Sequence, residues 1–223
     1  PWLIHFNGNV IAVMKKFLYQ FYKWLIFAPL FFTSTVVAGL MVTLLIYFFP
    51  TFASRWIPRM WARFNYRATP AGLSIEGEQH FDSKQSYIVV ANHLSQFDIF
   101  VLYGWLMLDI KWVMKKELRN VFVIGPVCAL MGHIFLDRSS RMESLRMLQE
   151  LKQNLRPGTS ILFFPEGTRS RDSVLKRFKK GAFMTAKDLD LPVLPVTVLG
   201  TEKILPPASL DLYPGRARMI IHP

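Results

Sequence analysis

Two side chains of this 223-residue chain have the types and spacing needed to move a proton: His93 and Asp98, in Asn92-His93-Leu94-Ser95-Gln96-Phe97-Asp98. A carboxylate bonded to one imidazole nitrogen fixes the tautomer and makes the other nitrogen the better base. Residues five apart share a face of neither a helix nor a strand, so a turn must bring the pair together. Tyr87-Ile88-Val89-Val90 reads as a buried strand, which puts His93 at a strand end, where loops present functional groups. Ser95 as a helix N-cap would set Asp98 in the first turn, its carboxylate free to curl back towards the imidazole. The same spacing suits a plain capping box beside an ordinary loop histidine. Alone, it decides nothing.

A second cluster, Phe164-Pro165-Glu166-Gly167-Thr168-Arg169-Ser170, also follows an apolar strand, Ser160 to Phe164. Gly167 lets backbone approach a ligand, Thr168 and Ser170 bring hydroxyls, and Arg169 can fork onto a phosphate. Glu166 stands where it can position the guanidinium. A turn explains Pro-Glu-Gly but not the anion-binding groups after it. The basic residues Lys176, Arg177, Lys179 and Lys180 that follow read as a solvated or membrane-facing patch, or as a further phosphate contact.

Strands and helices must carry these loops, and they alternate. Strands are expected at Leu73–Gly77, Tyr87–Val90, Lys111–Met114, Gly132–Leu136, Ser160–Phe164 and Val193–Leu199. Helices are expected at Ile99–Leu108, after the capping box Ser140-Arg141-Met142-Glu143, and at Gly181–Leu189. This is an α/β pattern with a mixed, largely parallel sheet flanked by helices. The natural boundary falls near Thr69-Pro70, dividing an N-terminal membrane-anchoring segment, 1–69, from an α/β domain, 70–223.

The N-terminal segment has no acidic residue and seven basic ones: Lys15, Lys16, Lys23, Arg55, Arg59, Arg63 and Arg67. From Trp24 to Ser54 there is no charge at all. As one helix, Trp24–Phe49 would run roughly 39 Å at ~1.5 Å per residue, more than the ~30 Å hydrocarbon core of a bilayer. A tilted span satisfies one basic flank. A hairpin turning at Pro29 and dipping in from the cytoplasmic side satisfies both, and is the favoured arrangement. The arginines at every fourth position, with Trp56, Trp61 and Phe64 on other faces, predict a helix lying at the headgroup level.

The net charge of +12 suits anionic lipid or nucleic acid, and the long apolar run decides for lipid. The lone cysteine, Cys128, excludes an internal disulfide and a multi-cysteine metal site, and its apolar neighbours predict a core residue. The chain opens at Pro1 and closes on Ile220-Ile221-His222-Pro223, which reads as a strand, so a longer protein is expected.

Taken in order, these residues resemble the lysophospholipid acyltransferase family, in its bacterial 1-acyl-sn-glycerol-3-phosphate acyltransferase type. Four blocks carry the resemblance: Asn92-His93 with Asp98, Gly132 to Arg138, Phe164 to Ser170, and Leu191 to Val196. Lys115 and Phe178-Lys179-Lys180-Gly181 match further family positions. Leu191 and Leu194 stand where valine or isoleucine is commoner. The resemblance implies transfer of a fatty acyl chain from acyl-ACP or acyl-CoA to the free hydroxyl of lysophosphatidic acid, making phosphatidic acid at the cytoplasmic face of the inner membrane. His93 would be the base and Asp98 its orienter. Lys115, Arg138, Glu166, Gly167, Thr168 and Arg169 would bind the phosphate-bearing acceptor. No cofactor, metal or nucleic acid is implied. Glycerol 3-phosphate, another lysophospholipid or lyso-ornithine lipid are rival acceptors, and a non-catalytic membrane-binding protein is the rival from outside enzymes. A hydrolase using Ser95 is disfavoured, since Ser95 lacks the G-x-S-x-G elbow.

Overall fold

The computed structural model describes residues 17–137, 140–170 and 174–223. Seven strands form one sheet in the order β1-β7-β6-β2-β5-β3-β4. They are β1 (Ala71–Glu76), β2 (Ile88–Ala91), β3 (Asp109–Lys115), β4 (Ile134–Leu136), β5 (Thr159–Phe163), β6 (Val193–Leu199) and β7 (Gly215–Ile221). Every pairing is parallel except β6 with β7. The expected mixed, largely parallel sheet is therefore present. Its consequence is positional: the C-terminal ends of β6, β2, β5, β3 and β4 all open onto one edge, where α/β proteins place their ligands.

The central strands read as continuous apolar runs because both faces are covered. Val89 and Ala91 of β2 point into the larger core, shared with Phe97, Val101 and Leu102, whereas Ile88 and Val90 point into a second core with Ala182 and Ala186. The first face is covered by α2 (Pro50–Arg67) and α3 (Asp98–Trp105), the second by α6 (Gly181–Leu189) with α5 (Arg141–Asn154). Ser140 caps α5 as expected, with Glu143 N–H donating to Ser140 Oγ at 3.2 Å, but the Glu143 carboxylate accepts from Asp137 N–H instead of closing the box on Ser140 N–H. A short α4 (Ile124–Leu130) carries Cys128, half-buried, whose thiol is pushed up to about 11 by burial.

The N-terminal segment is a helical hairpin, but its turn is not at Pro29. A continuous helix runs Phe17–Leu45, ending in α1 (Ala28–Leu45), and the chain turns at Ile46–Phe49 before Pro50 opens α2. Pro29 is accommodated because a π-helical turn, Lys23–Phe27, resets the hydrogen-bond ladder just ahead of it. Pro29 then lies in the first turn of an α-segment, where its missing N–H costs nothing. The Phe17–Leu45 helix is long and apolar enough to cross a membrane, and little of it is buried.

The arginines of α2 also depart from the expectation. They do not line an outer, headgroup-facing stripe; three of the four turn inward, onto the C-terminal end of α3. Arg63 Nε donates to Gly104 O at 2.7 Å, Arg55 Nη2 to Met107 O at 3.1 Å, and Arg59 Nη2 to Leu106 O and Leu108 O. Gly104 O is an orphan acceptor of the last turn of α3, with partial negative charge, and the carbonyls of Leu106, Met107 and Leu108 follow just beyond the end of that helix. Arg59 is buried, and burial beside Arg55 and Arg63 lowers it to about 10. The outer face of α2 is instead Phe52, Trp56, Met60 and Phe64, spaced at four and continuous with exposed Tyr47, Phe48 and Phe49.

The fold also separates two histidines. His133, just ahead of β4, is buried, with Nδ1 accepting from Trp112 N–H at 3.3 Å and Nε2 meeting the Tyr103 hydroxyl. Burial, helped by the charge of Lys111, pushes it down to about 3. Unfolded, it titrates near ~6.5, so below that pH the unfolded chain binds a proton that the fold refuses. The stability tied to His133 is thus complete above about 6.5 and is lost as pH falls towards about 3. Urea midpoints should drop between pH 7 and pH 4.5, and a His133→Asn variant should show a shallower drop over the same interval.

Candidate active site

His93 stands two residues beyond the end of β2, and the register of β2 is carried up to it by a side chain. Asn92 Oδ1 accepts from Val198 N–H at 2.7 Å and Asn92 Nδ2 donates to Val198 O at 2.8 Å, extending the β2–β6 ladder past Ala91. The loop then turns so that Asp98, the first residue of α3, reaches back. His93 Nδ1 lies 2.9 Å from Asp98 Oδ2, which also accepts from the N–H groups of Leu94 and Ser95, each at 2.9 Å. With backbone donors already on that oxygen, Asp98 is an acceptor and Nδ1 carries the proton. In the neutral ring Nε2 then keeps its lone pair. Asp98 is fully buried and the His93 side chain is 17% exposed, so the imidazole is reachable and the carboxylate is not.

Ser95 shapes this turn differently from an N-cap of α3. Its hydroxyl accepts from Phe97 N–H at 3.0 Å and donates to Leu205 O at 2.6 Å, while its backbone N–H closes on Asp98.

The loop after β5 grips His93 from both sides. Phe164 stacks on the imidazole, ring centroids 3.8 Å apart and planes within 9°. Glu166 Oε1 accepts from His93 N–H at 2.8 Å, and Ser170 N–H donates to His93 O at 3.0 Å. The other Glu166 oxygen accepts from Lys176 N–H at 3.0 Å. Buried Glu166 is thus a brace between two backbones, where the sequence suggested a partner for Arg169. Pro165 and Glu166 are the centre of a turn closed by Gly167 N–H on Phe164 O, and Gly167 has φ +77°, a conformation costly for any residue with a Cβ.

Lys176 Nζ donates to Arg169 O at 3.0 Å and lies 3.4 Å from Thr168 Oγ1, so one member of the basic cluster holds the loop's backbone. Arg169 lies next to Ser170, half-buried, and its guanidinium makes no hydrogen bond or ion pair among the described residues. Its neighbour Ser170 is bonded to His93 O, so the two loops meet there, and a guanidinium with an imidazole base is a pair of groups suited to an anionic substrate that must lose a proton.

The family model named Acyltransferase matches residues 72–199, more than half of the chain, from β1 through β6. The chain belongs to the acyltransferase family.

Its relatives include a 1-acyl-sn-glycerol-3-phosphate acyltransferase of Chlamydomonas reinhardtii, 32% identical over 96% of this chain and 64% of that protein. One from Helicobacter pylori is 30% identical over 67% of this chain and 63% of its own. The chain spans just under two thirds of the length of these relatives. The crystal structure of the 1-acyl-sn-glycerophosphate acyltransferase PlsC from Thermotoga maritima superposes with a TM-score of 0.76 at 23% identity, covering 94% of this chain and 85% of that one. At that identity the likeness speaks for a shared fold.

In this acyltransferase-family chain the remaining expected residues are placed as follows. Lys115 ends β3 on the same sheet edge, exposed, two strands from β2 and thus roughly 10 Å away at ~4.8 Å per strand. Thr168 is exposed and Gly167 buried. Arg138 lies outside the described residues. Sequence reasoning missed the Phe164 stack, the Ser170 tether, the clamp by Asn92, and a hydrogen bond from Thr201 Oγ1 to Asp98 Oδ1. For Asn92 a signal existed, since a side-chain amide at a strand end can imitate the peptide it follows.

Proposed function

We propose that this protein transfers a fatty acyl chain from acyl-ACP or acyl-CoA to the free hydroxyl of lysophosphatidic acid. The observation that carries the reading is the His93–Asp98 pair, bonded through Nδ1, at the end of β2. Nε2 takes the proton from the acceptor hydroxyl as its oxygen attacks the thioester carbonyl. Asp98 stabilises the imidazolium that results. As the tetrahedral intermediate collapses, the C–S bond breaks and Nε2 returns the proton to the departing thiolate. No acyl-enzyme is needed.

Arg169 holds the acceptor phosphate, with Lys115 and Arg138 as further positive groups and Thr168 as a hydroxyl donor. Gly167 and Glu166 shape the loop that presents Arg169 and Thr168. The apolar faces of α1 and α2 with the Tyr47–Phe49 tip seat segment 1–69 in the cytoplasmic leaflet of the inner membrane, and the 70–223 domain works at its surface. Mixing the protein with radiolabelled acyl-ACP or acyl-CoA and a panel of lysolipids tests the reading. Labelled phosphatidic acid is expected, and a labelled product from every acceptor except lysophosphatidic acid refutes the choice of substrate. Arg169→Ala should raise KM for lysophosphatidic acid by about 10- to 100-fold, the scale of a charge-assisted phosphate contact. Initial rates against acceptor concentration check this. A fall in kcat alone would move Arg169 to the transition state.

A further inference from the structure

We infer that Thr201 is a positioning residue for the transfer reaction, the third member of a chain that runs Thr201–Asp98–His93. The inference rests on the proposed roles of His93 and Asp98. Asp98 spends one oxygen, Oδ2, on the imidazole and two backbone amides, while Oδ1 accepts from the hydroxyl of Thr201, 103 residues away in sequence. Both Asp98 and Thr201 are fully buried. Water cannot replace the threonine, and without it Oδ1 is a buried acceptor left open. An Asp χ2 torsion is soft, so both oxygens must be tied if Oδ2 is to stay aimed at Nδ1. A donor on Oδ1 also favours the ionised carboxylate that an imidazolium requires.

The fold brings this hydroxyl there through a short series of fixed steps. β6 is the immediate neighbour of β2, and the Asn92 clamp on Val198 locks their ends together. The chain then turns at Gly200, φ +82°, where a Cβ would lie 2.2 Å from Arg216 O. That turn opens α7 (Thr201–Ile204) with the threonine facing Asp98. A second tether, Ser95 Oγ to Leu205 O at 2.6 Å, holds the far end of α7 to the His93–Asp98 turn. Thr201 lies beyond the four blocks of the family resemblance and beyond the residues the family model matches.

The test compares Thr201→Val, which keeps the shape and removes the donor, with Thr201→Ser, which keeps the donor. Full-length protein is assayed in vesicles with lysophosphatidic acid and acyl thioester. Thr201→Val should lower kcat by about 10- to 100-fold, the scale of a hydrogen bond to a charged group, with KM for both substrates unchanged. Thr201→Ser should recover the rate to within about threefold. In an Asp98→Asn background the valine change should add much less than it does alone, since both act through one carboxylate. Unchanged kcat in Thr201→Val, or equal loss in the serine and valine variants, overturns the inference. So does failure of both Thr201→Val and Thr201→Ala to fold, which would make the threonine structural. His93→Ala is run alongside: if it keeps full activity, the underlying reading has failed, whatever Thr201 does.

Discussion

His93→Ala should lower kcat for acyl transfer by about 10³- to 10⁴-fold while leaving the thermal unfolding midpoint and vesicle binding close to those of the parent. The size follows from what the imidazole does, since proton transfer by a positioned base is worth about 10²- to 10⁴-fold, and His93 both accepts the proton and returns it. The second half of the prediction follows from where the side chain sits. Its loop is held through backbone, by Glu166 on His93 N–H and by Ser170 on His93 O, and neither bond involves the ring. What alanine removes is the stack on Phe164 and one partner of Asp98, which keeps three others. Rates from radiolabelled product, set beside calorimetry of the same preparation, separate the two effects. Activity within threefold of the parent would remove His93 from the chemistry.

Six of the seven strands were legible because sheet burial leaves a plain signature, and of β7 only the end, Ile220-Ile221, was. Val193–Leu199 and Gly181–Leu189 have the same bounds in sequence and structure, since Pro192 and Asp190-Leu191 punctuate them. The His93–Asp98 pairing was legible through the ordered blocks of the family resemblance, since the spacing and the strand before it place the turn but leave a plain capping box equally open. The hairpin turn was misplaced because proline is a reliable helix breaker only where the hydrogen-bond ladder is regular. One π-turn at Lys23–Phe27 removes the conflict, and nothing in the residue types announces it. The arginines of α2 failed differently. Periodicity puts Arg55, Arg59 and Arg63 on one flank but does not say whether that flank meets lipid or protein, and the carbonyls they reach, at and just beyond the end of α3, lie 41 to 52 residues away in sequence. Thr201 is illegible for the same reason. A hydroxyl that completes a site from a neighbouring strand end carries no local pattern.

Asp98→Asn should also act on kcat, by about 10²- to 10³-fold, yet by less than His93→Ala. The geometry constrains how an asparagine can sit. Leu94 and Ser95 N–H groups point at the Oδ2 position, so the amide oxygen is held there and the NH₂ faces the Thr201 hydroxyl, which can accept. The oxygen still receives Nδ1–H, and the tautomer that leaves Nε2 open survives. What is lost is charge. A carboxylate about 4 Å from an imidazolium is worth about 4 kcal/mol at an effective dielectric near 20, close to a thousandfold in rate. KM for both substrates should stay put, because Asp98 is fully buried and touches neither. Asp98→Ala is expected to do more harm to the fold than to the chemistry, since it strands two backbone donors and a hydroxyl in a dry site. A rate for Asp98→Asn equal to that of the parent would mean that no imidazolium forms in the rate-limiting step, and the carboxylate would be only a brace for the turn.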